Sequence, residues 1–469
     1  MMEKSGELYS GFFAGMAIGD ALGAPAQGLK PARVAQLFGL ISDFLDPDEA
    51  FERSPRNWRS KGLYSFPTQQ ALAVAEFLII SNLYDARMIR EILLTLFTER
   101  GGLYRGMDEI FHKAMNNTSL GGDLFSAAAP HPGIGAISRC LPLALFFKNN
   151  DEELRRAIIE TSLLTHNDPR AIAGAAALTR VASLLIRDPN LPKEKPEEMI
   201  EDIRHFTRKS EEFLQDHYRE HLPAADMPIP LYYAMSDSLR ILPMCLKEKN
   251  KDLVKQTILT EANRHQPPFG ISVVNQDFAP SAVCYLLYAL LTSRTFGMGV
   301  LDVINEGKES RAMGALIGGL SGVRFGRSVL PEGWLDQIEN SDQIILRGKE
   351  LYQGFPDWNE RRDFILLERE FTEKEGEEIR RRREGWMREK ERAKEREKTS
   401  RASKMKQTSG INPNLPPQED APFAPPPSVV FGNDPPDPWK VKKDKALRGR
   451  KRIEWKENRR RSKKRDDEE

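Results

Sequence analysis

Residues 11–28 read GFFAGMAIGDALGAPAQG, and the spacing of their glycines decides the fold. Gly11, Gly15, Gly19 and Gly23 stand four apart, so on a helix they make one stripe without side chains. A glycine costs roughly 1 kcal/mol per interior helical position relative to alanine, so four of them call for a compensating contact. Close approach by a second backbone supplies one. GALIGGLSGVRFG, residues 314–326, repeats the spacing at Gly314, Gly318, Gly322 and Gly326. The two ladders are expected to pack together and close one helical domain from its two ends. Asp20 interrupts the first stripe inside an apolar run, and an acid buried there must be hydrogen-bonded, paired or metal-bound.

Between the ladders the pattern is helix after helix, with few alternating β-branched runs. Helical spacing is read over 69–82, 86–97, 137–147, 197–222 and 279–291. Asp168 with Pro169 behind it predicts a helix start and an alanine-rich helix to about Arg187. The expectation is an all-α body over 1–350. A charged helical extension over 351–406, a Pro-rich linker over 407–439 and a basic disordered tail over 440–469 follow.

The 70 Lys and Arg nearly balance the 69 Asp and Glu, but unevenly along the chain. Residues 361–469 carry 32 basic against 23 acidic groups, whereas residues 1–360 carry 38 against 46, so a mildly acidic body precedes a basic tail. That tail predicts weak, salt-sensitive contact of residues 440–465 with nucleic acid or another polyanion, beside the plainer reading of a solvated charge run. Cys140, Cys245 and Cys284 lie in apolar surroundings without metal-ligand spacing, which fits a reducing, cytoplasmic compartment. MMEKSGELYS lacks the basic and apolar regions of a signal peptide, and no apolar run reaches the ~18–20 residues of a membrane span.

Gly15 to Pro25, GMAIGDALGAP, resembles the opening motif of the ADP-ribosylglycohydrolase family, and the likeness extends over about residues 8–345. The resemblance implies an all-helical fold, two bound magnesium ions and removal of ADP-ribose from proteins or small acceptors. Where the family carries an aromatic residue and Thr-Asp-Asp-Thr, this chain has Tyr64-Ser65-Phe66-Pro67-Thr68. Phe66 and Pro67 offer magnesium no side-chain oxygen. Ser65 is read as a helix cap with Pro67 in the first turn, and the Ser65 and Thr68 hydroxyls remain candidate ligand contacts. Gln27 stands at the position of a family glutamate that contributes to hydrolysis. An amide takes no proton from water at neutral pH, but it can bind a ribose hydroxyl.

Gly133, Gly135 and Arg139 resemble the family's middle motif, the glycines for phosphate approach and Arg139 to hold the phosphate or brace the loop. Thr165-His166-Asn167-Asp168 resembles a Thr-His pair before a helix; His166 reads as a structural histidine or a ligand contact, and Asp168 as a cap. The family's last motif, Gly-Gly-Asp-Thr-Asp-Thr, falls on Gly307-Lys308-Glu309-Ser310-Arg311-Ala312 when anchored on Gly318 and Gly322. Its two aspartates become Glu309 and Arg311. Arg311 brings a permanent cation to the metal's place, with Lys308 beside it. The resemblance would make magnesium the cofactor, and with these ligands substituted none is expected.

Three readings remain open on sequence. The first is a catalytically degenerate family member whose cleft takes ADP-ribose or a related phosphorylated ligand. The second is a hydrolase with a non-standard site using Asp20, Gln27, Asp168 or Glu309. The third is a scaffold with a polyanion-binding tail.

Overall fold

Met2–Gly23 forms the first ladder helix and Ser310–Phe325 the second. They run antiparallel, with Gly11 against Gly322, Gly15 against Gly318 and Gly19 against Gly314. A Cβ on Gly19 would stand 2.5 Å from the Gly314 carbonyl carbon, and one on Gly15 2.9 Å from that of Gly318. Neither spacing admits a methyl group, so the expected reason for the glycines holds. The register differs from expectation at one end. Gly326 is no rung but the left-handed residue ending the second helix, with φ +80°, a conformation that favours glycine. The fourth rung instead pairs Gly23 with Ser310, whose hydroxyl donates to the Gly23 carbonyl at 2.7 Å. A third helix, Ser341–Gln353, closes on the other side of the first, where Gly348 lies against the Ser10 backbone.

This computed structural model describes residues 2–408, apart from 55–57, 149, 224–227 and 269. Among the described residues there are no strands, only the isolated bridges Gln27–Lys308 and Ala129–His166. The expected helices are found as Phe66–Ser81, Ala86–Thr98, Ile137–Phe147, Pro169–Arg187, Pro196–His217 and Ala279–Thr292. Pro169–Arg187 is long and apolar enough by composition to cross a membrane, yet 94% of that stretch is buried inside the body. Cys140, Cys245 and Cys284 are free and buried.

The charged extension is one helix, Phe364–Thr408, but its first turns are not solvated. Glu368 is fully buried and accepts hydrogen bonds from Tyr64 Oη and Gln69 Nε2, both at 2.5 Å, while pairing with Arg105 at 2.8 Å. Arg361 pairs with Glu76 at 2.6 Å, and Glu375 with Arg59 at 2.8 Å. A count of charges misses this, because here the charges pair inward with groups some 300 residues earlier. Residues 1–394 accordingly make one compact unit. From residue 409 on, the expected linker and the basic tail at 440–465 lie outside the described residues.

Candidate functional site

The helix Phe66–Ser81 is started by Asp20 rather than by its own N-cap residue. Ser65 occupies the cap position, but its hydroxyl donates to Asp20 Oδ1 at 2.6 Å instead of accepting from the helix. The other Asp20 oxygen accepts from Ser65 N at 2.9 Å, Thr68 N at 3.3 Å and Thr68 Oγ1 at 2.7 Å. A carboxylate from the first ladder helix thus satisfies the free amides of another helix. This corrects three site expectations. Asp20 is saturated and structural, and Ser65 and Thr68 spend their hydroxyls on it rather than on a ligand.

Beside this helix start lies a cleft of about 260 Å³. In its lining Gln27, Glu309 and Arg311 meet, although they come from opposite ends of the sequence. Gln27 Nε2 donates to Glu309 Oε2 at 2.9 Å, and the Arg311 amide donates to Gln27 Oε1 at 3.1 Å. Backbone exchange fixes the meeting: Gly28 N donates to Lys308 O and Lys308 N to Leu29 O, both at 2.7 Å. Lys308 does this with φ +51°, so its contribution runs through its backbone, and its side chain is not part of the cleft lining. Arg311 Nη2 donates to the Gly106 carbonyl at 3.1 Å.

The cleft lining also holds acids that the sequence did not single out, Asp108 and Asp277. Asp277 Oδ1 accepts from Ile134 N at 2.8 Å, and its other oxygen lies 3.7 Å from His131 Nε2. Burial, then the charge of Asp108, push the Asp277 carboxyl up to about 6. Two-fifths of its side chain opens to solvent, which tempers the rise. Burial and then Asp277 raise Glu309, and burial raises Asp108, which also caps the helix Glu109–Ser119 through Phe111 N at 2.6 Å. Three carboxyls therefore share one cleft, each raised from its ordinary value.

Gly133 and Gly135 admit these groups rather than a phosphate. A Cβ on Gly133 would fall on Asp277, and one on Gly135 would stand 2.9 Å from Asp108 Oδ2 and 3.2 Å from the His166 ring. Arg139 is corrected outright as a ligand contact. It is fully buried and donates to Gln70 Oε1 at 2.7 Å, to Thr161 O at 3.2 Å and to Thr165 Oγ1. His166 is buried behind Gly135 with Nδ1 2.7 Å from Thr165 Oγ1, and burial followed by the Arg139 charge holds it well below its ordinary value, so it is neutral. Asp168 caps its helix through Arg170 N at 2.9 Å and pairs with the Arg170 guanidinium at 2.7 Å, which leaves it structural. In the sequence Asp108 reads only as a helix cap, and Asp277, two residues before Ala279-Pro280, carries no signal of its own.

A fold closed by a glycine ladder, with a cleft between the two ladder ends, defines an all-helical class that known structures share. A solved structure titled "ADP-ribosylglycohydrolase-related protein complex" superposes with a TM-score of 0.53 at 20% identity, covering 75% of this chain and 99% of that one. In sequence, the model of the ADP-ribosylglycohydrolase family matches residues 3–361, and the chain belongs to that family. It is 22% identical over 347 residues to an uncharacterized protein of Archaeoglobus fulgidus, covering 74% of this chain and 96% of that protein. It is also 22% identical over 339 residues to the ADP-ribosyl-[dinitrogen reductase] glycohydrolase of Rhodospirillum rubrum, covering 70% and 89%.

Proposed function

We propose that the cleft binds ADP-ribose or a related phosphorylated ligand without a magnesium pair, and that metal-dependent hydrolysis has been lost. The observation that carries this is the Arg311 guanidinium, set in the cleft wall at the start of the second ladder helix. The residues present do not fit a magnesium pair. Magnesium needs several hard oxygen ligands in near-octahedral arrangement. Here Phe66, Pro67 and a fixed cation line the same space, and among the described residues no three His, Cys, Asp or Glu side chains group to hold an ion. Arg311 instead supplies permanent positive charge and planar donors suited to phosphate. The ordered Gln27–Glu309 pair offers a polar edge for sugar hydroxyls. The Rhodospirillum rubrum relative, by its name, acts on an ADP-ribosyl group, which suggests the ligand class.

The test is equilibrium binding of ADP-ribose to the full chain in a chelator. The wild type binds, and Arg311→Gln loses about tenfold or more in affinity, the worth of one charge-assisted contact. Equal affinities refute the assignment.

A second reading rests on the carboxyls. Asp277, raised to about 6, supplies a group able to exchange a proton near neutral pH, and Glu309 and Asp108, both raised, stand beside it as the partners that glycoside hydrolysis by paired carboxylates requires. Release of ADP-ribose in chelator, lost in Asp277→Asn, would establish it. No release from any ADP-ribosylated acceptor tried would leave the binding role.

A further inference from the structure

Gly106 has φ +69°, and the space a side chain would take there is filled from two directions. Arg311 Nη1 and Arg59 Nη2 both lie where its Cβ would stand, so the two guanidinium groups crowd together over one face of the glycine. Like charges so placed repel, and after burial the Arg59 charge is the largest influence weakening the Arg311 cation. Among the described residues one carboxylate pairs directly with either group. Glu375, almost fully buried, holds Arg59 Nη1 at 2.8 Å and accepts from Ser60 N at 3.1 Å.

Arg311 makes no ion pair among the described residues, and its buried Nε has no hydrogen-bond partner. Asp20, Glu309 and Glu375 favour its charge from a distance, but Asp20 is saturated by Ser65 and Thr68, Glu309 takes the Gln27 amide, and Glu375 pairs with Arg59. A buried cation left this way is unfavourable unless an anion completes it.

We propose that Arg59 and Arg311 form one anion site for a phosphate or diphosphate group, with Glu375 as its internal competitor. This deepens the ligand assignment above and rests on it for the identity of the bound molecule. It also gives a function to residues beyond 361, where the family match ends: the C-terminal helix carries the carboxylate that occupies Arg59 until a stronger anion arrives. Two guanidinium forks side by side suit the paired oxygens of a diphosphate better than a single carboxylate does. Of the two sources of such an anion, free inorganic diphosphate and the diphosphate of a nucleotide sugar, competition separates one from the other.

The experiment is calorimetric titration of the full chain with pyrophosphate, then with ADP-ribose, on the wild type and Arg59→Gln, Arg311→Gln and Glu375→Gln. Both arginine variants are expected to weaken pyrophosphate about tenfold or more, and Glu375→Gln to tighten it, because the amide still accepts from Ser60 N but no longer neutralises Arg59. ADP-ribose displacing pyrophosphate places the diphosphate of the larger ligand in this site; additive binding of the two assigns the site to free diphosphate. Pyrophosphate binding that survives Arg59→Gln unchanged overturns the two-arginine site while leaving the cleft assignment intact. Absence of pyrophosphate binding in both wild type and Glu375→Gln overturns it as well, and ADP-ribose binding then judges the cleft separately. Should Arg311→Gln fail to fold by circular dichroism, the opposite shifts expected of Arg59→Gln and Glu375→Gln decide alone.

Discussion

Replacing Gly19 by alanine adds one methyl group to a helix, and in most helices that change stabilises. At an open helical position alanine gains about 1 kcal/mol over glycine. Gly19 is not open. The new Cβ would stand 2.5 Å from the Gly314 carbonyl carbon and 3.3 Å from Ala315 N, and both are backbone atoms that no rotamer change can move. The Gly314 carbonyl oxygen lies closer still, so relief to an ordinary contact requires the ladder helices to separate by well over an ångström, which loosens the neighbouring rungs at Gly15 and Gly318 as well. Overpacking of this kind costs about 1–3 kcal/mol, so the propensity gain is reversed in sign. The matched control is Gly376→Ala, in the helix Phe364–Thr408, where a Cβ meets nothing within 4 Å. Urea unfolding followed by helical circular dichroism reads both variants. Gly19→Ala should shift the midpoint down and Gly376→Ala should leave it level or raise it. A Gly19→Ala protein as stable as the wild type would refute the ladder as the reason for these glycines.

Glu368→Ala leaves Arg105 buried without its partner, along with the Tyr64 and Gln69 donors, and should cost about 3–5 kcal/mol in the same urea assay. A change within error would show that this helix start is not part of the folded body. The pH dependence carries its own sign. Asp277 is raised from its ordinary 3.8 to about 6, so the native state binds its proton more tightly than the unfolded chain does. Its contribution is present in acid and is lost as pH rises through roughly 4 to 6, and Asp277→Asn should flatten stability across that window. An unaltered pH profile would contradict the placement of this carboxyl among like charges.

The ladder glycines, the helix start at Asp168 and the place of Glu309 and Arg311 at the start of the second ladder helix were legible in the sequence. Each rests on a local regularity: a four-residue spacing, a capping pair, a motif anchored on glycines. Ser65 illustrates where local reading stops, since its cap position was correct and its hydrogen bond was not; the capping carboxylate arrives from Asp20, 45 residues earlier. Arg139 looked like a phosphate ligand because it follows a glycine pair, but it turns inward to Gln70 and Thr165. Asp108 and Asp277 reach the cleft only through tertiary packing, and no spacing in the chain announces that. The buried start of the C-terminal helix escaped for a related reason. Glu368 and Glu375 look solvated in a charged run until their partners Arg105 and Arg59 are seen.

The central claim is a cleft in which a fixed guanidinium stands in place of a metal pair. Calorimetry of ADP-ribose binding to the full chain, in a chelator and then in excess magnesium, tests it most directly. The same affinity is expected in both, with no heat from magnesium titrated alone beyond weak nonspecific binding. Binding that appears only with magnesium, or two tight magnesium sites in the free protein, would contradict it.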